Sequence, residues 1–212
     1  MQSIWTRTTL PVHPPLEGRH RCDAVVLGAG MAGILTAWFL RQHGLSVIVL
    51  EANRVGSGQT QNTTAKITAQ HGLCYAKLID RFGAQDALRY ARAARQAVTD
   101  FRDIIAQEHI ACHLETLPSY LYSRYDPTTL KQERDAACDL GFGAEFVKKT
   151  CLPFPVEGAV LFPDQAQFHP LEFLRSVSKP LVIYEHSKVT DVSDHQVSTA
   201  HGTVTADHII FA

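Results

Sequence analysis

No apolar run in this chain approaches the roughly 20 residues that a membrane-spanning helix needs. Met1 to Arg21 lacks the apolar core of an export signal, so a cytoplasmic location is expected. Neither charge sign is in surplus: 20 Lys and Arg stand against 21 Asp and Glu, with no polybasic stretch. Nucleic acid and anionic membranes therefore have no electrostatic support as partners. Cysteine is sparse. The five residues Cys22, Cys74, Cys112, Cys138 and Cys151 are scattered and form no C-x-x-C pair. That argues against a disulfide framework, a zinc site or an iron–sulfur cluster built from these residues. The histidines are dispersed too, without H-E-x-x-H spacing, so no metal ligands are expected.

What is present suffices for a packed core: 45% of residues are hydrophobic and 19% charged. The length fits one domain, or one domain carrying an inserted lobe. The chain is organised around residues 23–51. Ala24 to Leu27 is an apolar run too short for a helix and reads as a buried parallel strand. Gly28, Gly30 and Gly33 follow in the G-x-G-x-x-G pattern, for a tight turn, for close approach of a phosphate, and for close helix–strand packing. A helix over Met31 to Gln42 points its free N–H groups and positive dipole end at that phosphate. Gly44 ends it, Leu45 to Leu50 forms a second strand, and Glu51 stands where an acid accepts hydrogen bonds from ribose hydroxyls. A glycine-rich turn alone can bind nothing; the acid in register favours a dinucleotide site.

Before this unit, residues 1–21 carry Pro11, Pro14 and Pro15 and read as an extended arm, anchored by Ile4 and Trp5 or frayed. After it, Ala52 to His71 is a long hydroxyl-rich loop with Gly56 and Gly58, and such loops are often functional. Tyr75 to Glu108 has helical periodicity, divided near Gly83. Its Arg89, Arg92, Arg95 and Arg102 read as a solvated face. Ala111 to Phe162 reads as a second lobe: strand Leu114 to Tyr122 bent at Pro118, helix Pro127 to Leu140, strands Glu145 to Lys149 and Gly158 to Phe162. Tyr120, Tyr122 and Tyr125 suit either a pocket lining or cross-strand packing. Asp164 to Pro170 reads as a polar turn into a helix, Leu171 to Val177. Short β segments follow at 181–184, 188–192, 196–199 and 203–204, then an apolar strand, Asp207 to Ala212. A chain stopping in an apolar strand reads as truncated.

These residues carry a family resemblance. Besides the glycine turn, the runs Gly56-Ser-Gly58, Thr63-Thr-Ala-Lys66, Gln70-His71 and Phe162-Pro-Asp-Gln-Ala-Gln-Phe-His-Pro170 resemble FAD-dependent oxidoreductases of the D-amino-acid-oxidase and glycine-oxidase superfamily. They look most like a bacterial branch that often carries a C-terminal Rieske domain. The resemblance implies an α/β fold: an FAD/NAD(P)-binding Rossmann-like domain with a partial inserted α+β substrate lobe. Residues 1–21 would be the arm, 22–110 and 163–212 the two parts of the FAD-binding domain, and 111–162 the lobe. It also implies that Gly28, Gly30, Met31, Ala32 and Gly33 meet the FAD pyrophosphate and Glu51 the adenosine ribose. Thr60 would add a hydroxyl on the pyrophosphate side. Thr63, Thr64, Ala65 and Lys66 would pass beside the isoalloxazine, and Val189 would offer adenine a backbone contact. Ala52 and Gly58 are counted with these cofactor-binding residues. Two departures stand in the loop: Gln61 where the family usually has Gly, and Asn62 where it often has Arg.

The function so implied is oxidation of a small amine or amino acid by hydride transfer to FAD, with a Rieske [2Fe–2S] cluster in a downstream domain. Residues 1–212 alone are expected to be inactive. No catalytic acid or base stands out; Lys66 is the candidate for a charge near the ring, a surface lysine its alternative. His71 and His169 suit flavin or substrate contact less well than capping or core roles. The alternatives are an NAD-binding dehydrogenase, and a non-catalytic dinucleotide-binding fragment or assembly module. Substrate, electron acceptor and oligomeric state are not written in these residues.

Overall fold

The computed structural model describes residues 3–212; of the N-terminal arm, Met1 and Gln2 lie outside the described residues. In chain order a 3-10 turn at Ile4–Arg7 precedes strand β1 (Gly18–Leu27), helix α1 (Met31–Gln42) and strand β2 (Val47–Leu50). A second 3-10 turn at Gln59–Asn62 leads to β3 (Lys66–Ile67), the long helix α2 (Tyr75–Gln107) and β4 (Glu115–Ser123). Helix α3 (Thr128–Asp139), β5 (Glu145–Val147), β6 (Gly158–Gln167) and α4 (Pro170–Val177) follow. The last strands are β7 (Val182–Tyr184), β8 (Val189–Ser193), β9 (Gln196–Thr199) and β10 (Gly202–Phe211). The expected α/β class is what this order has.

By contacts the chain forms two units. The first comprises the residues up to Thr64, Ile110–Cys112 and His169–Ala212. Its six-stranded sheet has the order β7-β2-β1-β10-β9-β8, parallel from β7 to β10 and antiparallel beyond. Central strands of a parallel sheet are covered on both faces, which is why Ala24, Val25 and Val26 and all of Val47–Leu50 are buried. Helix α1 buries Gly33, Ile34, Ala37 and Trp38, one stripe of a 3.6-residue period.

The second unit is Ala65–His109 with His113–Phe168. Residues 65–109, grouped with the cofactor domain in the sequence reading, cluster here because α2 packs on α3 and the sheet β3-β6-β4, with β5 paired to β6. Tyr75, Phe142 and Phe162 meet in its core, with Tyr75 and Phe162 stacked at 6.1 Å. The start of α2 is capped from a distance. The fully buried Glu133 carboxylate accepts the N–H groups of Cys74, Tyr75 and Ala76 at 2.8–3.0 Å.

Three expectations are corrected. The arm is shorter than 21 residues, because Gly18 to Cys22 pair with Gly202 to Ala206 and extend β1 backwards. Asp164 to Gln167 is not a turn: β6 runs on through it, pairing with β3 and the start of β4. Its register shifts opposite Pro118, and Asp164 takes φ 55° there. The two segments at 203–204 and 207–212 are one strand, β10.

Candidate functional site

The glycine turn lies between β1 and α1 in the first unit. Gly28 turns the chain with φ 113°, its N–H bonded to Leu50 O at 2.8 Å. A Cβ on Gly33 would collide with Gly28 O, so only glycine lets α1 sit this close to the end of β1. At Gly30 the case is reversed: the nearest atom to a Cβ there is Thr60 Oγ1 at 3.6 Å, an ordinary contact, so no clash requires glycine. Gly30 is the N-cap of α1, and the first i→i−4 bond of the helix runs from Ile34 N–H to Gly30 O at 3.0 Å. The N–H groups of Met31, Ala32 and Gly33 thus precede the helical ladder and are free of it. Met31 N–H donates to Thr60 Oγ1 at 3.0 Å. That leaves the buried Thr60 hydroxyl proton to donate onward to an anion.

Glu51 follows β2 directly. Its Oε2 accepts Ala29 N–H and its Oε1 accepts Asn53 N–H, each at 2.8 Å. A carboxylate has about four lone-pair sites, so two remain for the two hydroxyls of a ribose. Glu51 O also accepts Ser187 N–H at 2.8 Å, which brings the entry to β8, and with it Val189, beside the same strand end. Val189 packs half-buried on the core cluster that contains Leu50. Ala52 and Gly58 are exposed.

The loop 53–64 is built around the turn Gln59–Asn62. Gln61 donates its side-chain amide to Ser57 O, and Asn62 donates to Gly58 O at 3.0 Å. The two departures from the family pattern thus tie the turn to itself. Gly56 N–H donates to Ala29 O at 2.9 Å, fastening the loop to the glycine turn. Thr63 and Thr64 are exposed at its end. Ala65 and Lys66 belong to the second unit: Ala65 is buried at φ 60°, and Lys66 is exposed in β3, paired with Gln167.

His169 is a cap. Its Nδ1 accepts Glu172 N–H at 3.3 Å at the start of α4, and Nε2 stands 3.1 Å from Thr8 Oγ1. His71 is exposed in the second unit. Burial pushes the Cys112 thiol up to about 11, so it is no thiolate nucleophile at neutral pH. Among the described residues no group of three or more His, Cys, Asp or Glu could hold a metal ion, and no helix is long and apolar enough to cross a membrane.

Sequence reasoning passed over Glu185, the residue after β7. It is fully buried and accepts Val55 N–H at 2.8 Å and His13 N–H at 3.1 Å, with Arg54 Nε at 3.0 Å. Its signal was an acid at a buried strand end, like Glu51.

A parallel sheet with a glycine turn feeding a helix, and an acid closing the next strand, defines a dinucleotide-binding protein of the Rossmann kind. The chain belongs to the FAD-dependent oxidoreductase (DAO) family, whose model matches residues 23–212. It is 34% identical over 199 residues to YhfW of Bacillus subtilis (strain 168), named a Rieske 2Fe-2S iron–sulfur protein, covering 90% of this chain and 39% of that protein. It is 24% identical to the gamma-glutamylputrescine oxidoreductase of Escherichia coli (strain K12), covering 90% of this chain and 48% of that one. Among solved structures, glycine oxidase from Geobacillus kaustophilus matches with TM-score 0.72 at 18% identity, over 91% of this chain and 55% of that chain. L-proline dehydrogenase from P. horikoshii matches with TM-score 0.73 at 18% identity, over 93% and 53%. At that identity the structures speak for the fold. The chain spans about half or less of the length of the curated relatives named here.

Proposed function

We infer that the whole protein oxidises a small amine or amino acid, and that the first unit holds the FAD. The observation that carries this is the pairing of two features at adjoining strand ends. One is an open, glycine-lined helix N-terminus with the Thr60 hydroxyl beside it. The other is the Glu51 carboxylate with two acceptor sites left over. The first suits a pyrophosphate and the second a ribose. In this reading the N–H groups of Ala32 and Gly33 and the Thr60 hydroxyl bind the pyrophosphate, with Met31 N–H holding that hydroxyl in place. Glu51 orients the adenosine through its ribose, with Ala52 and Gly58 flanking the groove and the Val189 backbone meeting adenine. Thr63 and Thr64 continue the loop toward the flavin. The assignment of Ala65 and Lys66 to the isoalloxazine rests on the family resemblance alone. When bound, FAD supplies the two-electron acceptor for a hydride from the carbon next to the amine nitrogen.

The relative named for gamma-glutamylputrescine supports an amine or amino acid as the substrate class. The relative named for a Rieske cluster supports such a cluster outside these residues as a further cofactor. Denaturing the purified whole protein should release FAD, and Glu51→Ala should weaken FAD binding on the order of tenfold or more, since a charged hydrogen bond contributes roughly 1.5–3 kcal/mol. Release of a nicotinamide nucleotide instead would establish the dehydrogenase reading. Bound flavin that no amine or amino acid reduces would leave a non-catalytic dinucleotide-binding module.

A further inference from the structure

Residues 3–16 precede the stretch that the family model matches, which begins at Asp23. Of these residues only Leu16 is buried, so the segment adds little to the core. Its contacts converge instead on the loop between Arg54 and Thr63. Trp5 Nε1–H donates to Thr63 O at 2.9 Å. Leu10 Cδ1 lies 3.6 Å from where a Cβ on Gly56 would stand. His13 N–H and Val55 N–H are bonded to one carboxylate, that of Glu185, and Arg54 Nε lies 3.0 Å from it. Glu185 N–H in turn donates to Pro14 O at 3.2 Å. The arm is itself anchored: Thr8 Oγ1 meets His169, the Trp5 ring packs edge-on against His169 at 4.9 Å, and Leu16 N–H donates to Ser187 Oγ at 2.8 Å.

The loop is thus gripped from two sides. The glycine turn holds it through Gly56 N–H to Ala29 O and Met31 N–H to Thr60 Oγ1. The arm holds its end directly, through Trp5 to Thr63 O, and its beginning through Glu185, which accepts Val55 N–H of the loop and His13 N–H of the arm. A polar loop held at one side only would lose conformational freedom when a ligand ordered it, and its apparent affinity would fall by the fraction of time spent in the competent shape.

We propose that residues 3–16 are a clasp that keeps the loop 54–63 in its cofactor-binding shape, with Trp5 and Glu185 as the positioning residues. This rests on the reading of the first unit as the FAD site. The Trp5 indole N–H fixes the carbonyl at the loop's end. Glu185 joins arm and loop by accepting one N–H from each. Neither residue touches the cofactor; both act through Val55 and Thr63.

Trp5→Phe in the whole protein keeps an aromatic ring at this position and removes the indole N–H together with one ring of the bicycle. Glu185→Gln keeps the shape but turns one acceptor into a donor facing a backbone N–H. Both should weaken FAD binding roughly three- to tenfold by fluorescence titration, the equivalent of one hydrogen bond. Both should also speed hydrogen exchange at amides 55–63 by more than in β1 and β2, and Trp5→Phe should leave β1 and β2 unchanged. Trp5→Phe should leave the thermal midpoint nearly unchanged, which separates positioning from a general loss of stability. Unchanged FAD affinity in both variants overturns the proposal. Loss of affinity with uniformly faster exchange across the sheet also overturns it, because that is destabilisation rather than clasping. A wild-type protein that binds no FAD sinks the flavin reading itself, and exchange at 55–63 then decides by itself whether the arm holds the loop.

Discussion

A Cβ at Gly30 would make no more than an ordinary contact with Thr60 Oγ1, whereas one at Gly33 would strike Gly28 O, so alanine at these two positions separates binding from folding. Gly30→Ala should leave the thermal midpoint close to wild type and remove most FAD affinity, because its methyl takes the place of a phosphate oxygen. Gly33→Ala should cost about 1–3 kcal/mol by forcing α1 away from β1, and FAD binding should fall with it. Thermal unfolding with a flavin titration reads both, and equal destabilisation by the two would refute the assignment of Gly30 to the phosphate. The same residue-by-residue logic explains Thr60. Its hydroxyl oxygen serves Met31 and its proton remains for an anion, so Thr60→Val should damage cofactor binding more than packing.

At the scale of elements, α2 is two helical pieces joined at Gly83, whose φ of 81° and ψ of 162° belong to glycine. The residues before the kink reach back to the Glu133 cap; those after it carry Arg95 and Arg102. Arg89, Arg92 and Arg95 are exposed, as a solvated face requires, but Arg95 also donates to Gly141 O at 2.8 Å and lies over the Phe142 ring, and the half-buried Arg102 donates to Asp164 O at 2.6 Å and to Gln165 O at 3.2 Å. Arg95 and Arg102 pin the second half of α2 to the loop after α3 and to the β6 irregularity. Helical periodicity shows which face is polar but not which carbonyls that face meets. With both ends of α2 fastened, the angle at Gly83 is fixed, and Gly83→Ala should destabilise the second unit by about 1–3 kcal/mol. Urea unfolding followed by the exchange of α2 amides measures this; wild-type stability would mean that α2 can run straight.

At the scale of the whole molecule, pH reports on buried charge. Burial pushes the Glu185 carboxyl up, but the N–H groups of Val55 and His13 and the Arg54 guanidinium outweigh it and hold it below the ordinary value. A depressed carboxyl stabilises the fold above its unfolded value, about 4.3 for Glu, and that stability is lost as pH falls through the folded value. Asp23, accepting from the Ser46 hydroxyl and N–H, and Asp126, accepting from Thr128, are also lowered and titrate in the same acidic window. Unfolding free energy should therefore fall below about pH 4.3, and Glu185→Gln should make that fall shallower without altering its slope between pH 6 and 8. Identical acid profiles for wild type and variant would show that Glu185 is not charged in the fold. The sequence by itself determined the unit from Ala24 to Glu51, the split helix at Gly83 and the bend at Pro118, because apolar period, glycine turns and proline act over a few residues. Only the tertiary structure decided that Gly18 to Cys22 are strand, that Asp164 to Gln167 continue β6, and that Lys66 lies in the second unit's sheet. It alone also decided that Glu185 serves arm and loop together. Each of these depends on a partner remote in sequence, and a strand's partner or a buried acid's donors leave no local pattern to read.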